Sequence, residues 1–129
     1  MWEVKVARGG GHFCVGVANR VPKASLASLD KQLVEWEGRA WAVGSVALGC
    51  KEGDVVGVLF DQSMGRPVIT LLLNGAVVQR EFPSLRGARG DVYPAVSVEG
   101  EAMLQLRFDG FAHPQEPKFG AIIPARDIL

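Results

Sequence analysis

The sequence predicts an all-β protein, an antiparallel β-sandwich, from three observations. Short runs rich in Val, Ile, Leu and aromatic residues recur along the chain. Clusters of Gly, Asn, Asp and Pro separate them. Helical spacing of apolar residues is confined to one brief stretch, Leu26, Leu29 and Leu33. With 129 residues, 48% of them hydrophobic, the chain reads as one domain over 1–129 with one core.

Trp2, Val4 and Val6 alternate with Glu3 and Lys5, the period of a half-buried strand, and Arg8-Gly9-Gly10-Gly11 breaks it with a turn. In the next strand, His12–Ala18, Phe13, Val15 and Val17 share one face. Cys14, Gly16 and Ala18 share the other and are all small, which suits close approach of another backbone or a ring. From Asn19 to Asp30 the alternation is lost and a long loop with one helical turn is expected. Leu33–Trp36 and Ala40–Val43 are short strands about the turn Glu37-Gly38-Arg39, and Gly49–Gly53 is a further connection.

Val55–Phe60 is a strand that ends at Asp61, and Gln62–Gly65 turns the chain into the return strand Val68–Leu73. Asn74-Gly75 supplies the positive φ angles of a two-residue hairpin into Ala76–Val78. Val68, Thr70 and Leu72 face one way on the return strand while Ile69, Leu71 and Leu73 face the other, so both faces are expected to be covered. After an Arg/Gly loop at 82–91 come the strand Tyr93–Val98, the turn Glu99-Gly100-Glu101, and Met103–Phe108, with Leu104, Leu106 and Phe108 pointing in. The proline-rich tail is anchored by Phe111, Phe119, Ile122 and Ile123.

The totals exclude several function classes. Fourteen Lys+Arg balance fourteen Asp+Glu, so the phosphate-neutralising excess of a nucleic-acid binder is missing. No window is long and apolar enough to span a membrane, and the N-terminus lacks a secretory pattern, so a cytoplasmic protein with Cys14 and Cys50 reduced is expected. His12 and His113 have no metal-ligand spacing, and no nucleophile elbow or phosphate loop is present. Glu35 with Glu37, or Glu99 with Glu101, would share a strand face, but catalytic carboxylate pairs flank a substrate from opposing sides of an aromatic-lined cleft. They read as solvated edges. No catalytic residue, cofactor, metal or small-molecule substrate is expected.

The pieces WEVKV, HFCVGVA, GDVVGVLFD, LLLNG, DVYPAVSV and LQLRF, in this order over nearly the whole chain, resemble a SPRY domain. That resemblance implies a concanavalin-like jelly-roll sandwich used for protein–protein recognition. SPRY domains carry further strands ahead of the one matching WEVKV, and this chain starts on that strand. Either those strands are dispensable, or they belong to a longer protein, or another chain completes the sheet. Trp36 falls where the family keeps a structural aromatic.

The resemblance also implies a shallow partner face built by loops at one end of the sandwich. Here that face would comprise Arg20, Val21, Pro22 and Leu26 after VGVA, Arg39 and Trp41 in the following hairpin, and Val98, Glu99 and Gly100 after YPAVS. The family's usual binding-loop residues are not reproduced at Val98–Gly100, so no peptide motif carries over. Trp41 has two uses that the sequence leaves open, an exposed hot spot or a ring packed under the long loop. The expected function is a non-catalytic adaptor or assembly subunit with a protein or peptide partner. The alternative is a carbohydrate-binding or glycoside-processing sandwich.

Overall fold

The computed structural model of the protein describes residues 1–19, 40–61, 68–79 and 92–115. The strands are β1 (Trp2–Arg8), β2 (Gly11–Asn19), β3 (Ala40–Gly44), β4 (Val55–Asp61), β5 (Val68–Leu73), β6 (Ala76–Gln79), β7 (Val92–Gly100) and β8 (Met103–Arg107), with one helical turn, α1 (Ser45–Leu48), after β3. They form a five-stranded sheet in the order β6-β5-β4-β1-β8 and a three-stranded sheet in the order β3-β2-β7, with every pairing antiparallel. The expected strand at Leu33–Trp36, the turns at Glu37–Arg39 and Gln62–Gly65, the loop at 82–91 and the anchors Phe119, Ile122 and Ile123 lie outside the described residues.

The period-two pattern becomes the core directly. Directly paired residues point to the same face, and β1 pairs with β4 so that Trp2 meets Val58 and Val4 meets Val56. Continuing the register, Val58 meets Leu71 and Phe60 meets Ile69. These residues pack against Phe13, Val15, Val17 and Trp41 of the other sheet, with Leu48 of α1 closing one end. A fully buried Leu or Val side chain contributes about 1.5–3 kcal/mol relative to exposure, so this shared cluster dominates stability.

The small face of β2 also behaves as its residues require. Cys14 and Ala18 are buried beside Ala40, Ala42 and Ala95. A Cβ on Gly16 would collide with the carbonyl oxygen of Trp41 and lie 2.6 Å from Ala42 Cα. Here the close neighbour is the backbone of β3.

The turn at Asn74-Gly75 has φ angles of 49° and 86°, the left-handed pair of a two-residue hairpin. It is tied down from outside. Asn74 Oδ1 accepts from the Val55 N–H at 2.9 Å, and Asn74 Nδ2 donates to Asp54 Oδ1 at 3.1 Å. Asp54 Oδ2 accepts from the Lys51 N–H at 2.9 Å. That backbone bond, then the Asn74 amide, holds the Asp54 carboxyl below its ordinary range. The GD and NG of the two apolar runs are therefore one polar clasp. Gly75→Val forces a β-branched residue to positive φ and places its Cβ 3.3 Å from His113 Nδ1, so thermal unfolding should show a loss of about 1 kcal/mol or more.

The structure corrects two expectations. Leu106 and Phe108 were expected inside, but they are 39% and 42% exposed. They point toward the other sheet, but β8 is an edge strand and nothing described covers that side. Glu3 alternates outward as expected, yet it is only 2% exposed. Residues 111–113 lie over the outer face of the larger sheet, where Phe111 packs on Met1, Leu59 and Leu72. The backbone N–H groups of Ala112 and His113 donate to the two Glu3 carboxylate oxygens at 2.7 and 2.9 Å. The hairpin of β4 and β5 is thus covered on both faces, with residues from Phe111 to His113 over the outer one.

Candidate interaction surface

The register of β2 defines the two ends of the molecule. Asn19 pairs with Val92 and Ala18 with Ala40, whereas Gly11 pairs with Gly100 and Cys14 with Gly44. At about 3.3 Å per residue, the ends of this nine-residue strand lie roughly 26 Å apart. Ala40, Trp41, Val92 and Tyr93 mark one end, from which the chain leaves at 19 and returns at 40; we call it the loop end. The β1–β2 turn, α1, residues 49–54 and the β7–β8 turn form the other, the turn end.

The sequence-predicted site divides between them. Arg20, Val21, Pro22, Leu26 and Arg39 lie outside the described residues. Trp41 sits at the loop end, but its side chain is 5% exposed and belongs to the main core. Of its two possible uses, packing inward is the one the structure shows. Val98, Glu99 and Gly100 are at the turn end, beside Phe13, His12 and Gly11. The expectation that they share one end with Trp41 is overturned by the antiparallel pairing of β7 with β2, which carries the end of one strand to the start of the other.

The turn end has its own architecture. Gly44 precedes α1, and Gly49, at φ 67°, ends it after one turn. Ser45 Oγ accepts from the Phe13 N–H at 3.2 Å, which fixes α1 against β2. Glu52 Oε1 accepts from the Gly9 N–H at 3.2 Å, which fixes the β1–β2 turn against the loop before β4. Between these elements lies a cleft of about 300 Å³ bordered by Arg8, His12, Val46, Cys50, Lys51 and Glu52. Val46 is 78% exposed and Val98 is 45% exposed.

Cys50 borders the cleft. Burial, and then the charge of Asp54, push the Cys50 thiol up to about 11, so it stays protonated at neutral pH and is a poor nucleophile. Among the described residues no group of three His, Cys, Asp or Glu side chains is placed to hold a metal ion, and no helix is long and apolar enough to cross a membrane. Glu99 and Glu101 are exposed, as solvated edges should be. The one-turn helix and the clustering of Val46 with the cleft were not read from the sequence. Four residues hold too little periodicity to announce a helix, and only the exposure of Val46 marks it.

Comparison with known proteins agrees with this fold. The profile of the SPRY domain family matches residues 1–111. SPRY domain-containing protein 7 from Homo sapiens, Mus musculus and Bos taurus is in each case 37% identical to this chain over 79 residues. The match covers 61% of this chain and 37% of each of those proteins, so the chain spans little more than a third of the relatives it matches. The chain belongs to the SPRY domain family, whose members generally serve as protein-interaction modules.

Proposed function

We propose that this SPRY domain is a non-catalytic protein-recognition module, an adaptor or assembly subunit of the cytoplasm, and that a protein or peptide partner seats on its turn end. The observation that carries the reading is the placement of Val46, 78% exposed, beside a cleft bordered by Arg8, His12, Lys51 and Glu52. An apolar centre within a rim of both charge signs matches the anatomy of a recognition surface. Val46 makes little contribution to the core, so folding gives no reason for a large aliphatic there. Val98, Glu99 and Gly100 extend the same surface along β7. The reading requires no nucleic acid, membrane, cofactor or small-molecule substrate.

The test is calorimetry with the partner isolated from the native source. Val46→Asp should weaken binding by about tenfold or more, the loss typical of a residue near an interface centre, while the melting temperature stays that of the wild type. Should Val46→Asp bind normally and Arg20→Ala or Arg39→Ala weaken binding instead, the partner seats on the segment between β2 and β3 and the turn-end reading fails.

A further inference from the structure

The alternation that buries Val4 and Val6 turns Glu3 and Lys5 of β1 to the outer face of the larger sheet. Directly paired residues share a face, so Arg107, opposite Glu3, and Gln105, opposite Lys5, stand beside them on β8. With Val55 of β4 and Ala112, these side chains line a pocket of about 190 Å³. Its charges are unmatched. Glu3 is 2% exposed, and both its carboxylate oxygens accept from the Ala112 and His113 N–H groups. Asp54, next to Val55, is closed off in the clasp with Lys51 and Asn74. Arg107 spends one guanidinium N–H on the Gly110 carbonyl at 3.1 Å, and among the described residues neither it nor the Lys5 ammonium forms an ion pair. Two exposed cations therefore border one buried anion whose oxygens are already engaged.

We propose that this pocket binds a carboxylate monoanion, carried either by an acidic side chain of a bound peptide or by a small free acid. Arg107 keeps further N–H donors in the planar fork that matches a carboxylate. Lys5 is its diagonal neighbour across the β1–β8 pair, a separation that long side chains span, so both charged heads reach one bound group. The Gln105 amide adds a neutral donor, and Val55 and Ala112 give the methylene stem of the ligand an apolar wall. Charge sets the class of anion. One added negative charge brings Lys5, Arg107 and Glu3 to neutrality, whereas a phosphate dianion overshoots it and meets the fixed charge of Glu3. The pocket shares no lining residue with the turn-end cleft, so the inference stands apart from the turn-end reading.

An NMR titration of the backbone amides of the 129-residue chain at constant ionic strength tests this, with N-acetylglutamate α-amide as the probe. The Lys5, Gln105 and Arg107 amides should shift and saturate, and the uncharged glutamine analogue should leave them in place. Propionate is the second arm. Affinity equal to or above that of the glutamate probe assigns the pocket to free acids, and lower affinity assigns it to an acidic peptide. Lys5→Gln and Arg107→Gln should each weaken binding about three- to tenfold. Because Arg107 also holds Gly110, Lys5→Gln is the deciding variant, and unchanged shifts at Ala112 and His113 show that their bonds to Glu3 survive in it. No saturable shift at the Lys5, Gln105 and Arg107 amides overturns the proposal. So does an equal response to the glutamine analogue, undiminished binding by Lys5→Gln, or tighter binding of inorganic phosphate than of the glutamate probe.

Discussion

Trp41→Ala is expected to cost the domain about 3–5 kcal/mol, the loss typical of emptying a buried aromatic site. The side chain is 5% exposed and packs in the cluster that joins the two sheets. β3 is short, pairs with β2, and has Trp41 as its one buried residue. Against a total stability of about 5–15 kcal/mol, the change leaves a marginal or unfolded protein. Urea unfolding reads the loss directly. A midpoint near that of the wild type would mean the ring is dispensable to the core, and Trp41 would return as a surface residue.

Glu3→Ala should produce the second large effect, and in a different place. Ala112 and His113 each donate a backbone N–H to the Glu3 carboxylate, and hydrogen bonds to a charged group contribute about 1.5–3 kcal/mol each. Without the carboxylate those donors lose their partners, and Phe111 loses the clamp that holds it on Met1, Leu59 and Leu72. Hydrogen exchange at Ala112 and His113 should accelerate strongly, with a smaller change at Val58 and Leu71 in the centre of the sheet. Glu3→Gln should fall between, because an amide oxygen can still accept while its NH₂ faces a donor. Unchanged exchange at Ala112 and His113 would show that the segment is held by other means.

These two residues also mark how far the sequence alone could be read. Strand positions, the apolar faces of β1 and β2, and the Asn74-Gly75 hairpin were legible because each depends on a local period or a local φ requirement. The alternation of β1 reads Glu3 as outward, which is correct. Its burial comes from a segment 109 residues later in the chain, which no local pattern reports. Leu106 and Phe108 teach the converse. Their direction was legible, but β8's place at the edge of the sheet decides their exposure.

The candidate site was harder to read than the fold for a related reason. Alternation says which face of a sheet a residue occupies, and it says nothing of which end of the sandwich a turn reaches. The end is set by register, and here Gly100 pairs with Gly11 while Val92 pairs with Asn19. That pairing moves Val98, Glu99 and Gly100 away from Trp41 and onto the surface that carries Val46. The four residues of α1, which present Val46, lack the length to show a helical period.

Crosslinking with a lysine-reactive reagent, in the native source and followed by mass spectrometry, tests the recognition reading most directly. Lys51 borders the turn-end cleft, whereas Lys23 and Lys31 fall between β2 and β3 in the sequence. A partner protein seated on the turn end should be captured through Lys51, and Val46→Asp should abolish that capture. Capture through Lys23 or Lys31 alone, unchanged by Val46→Asp, would contradict it.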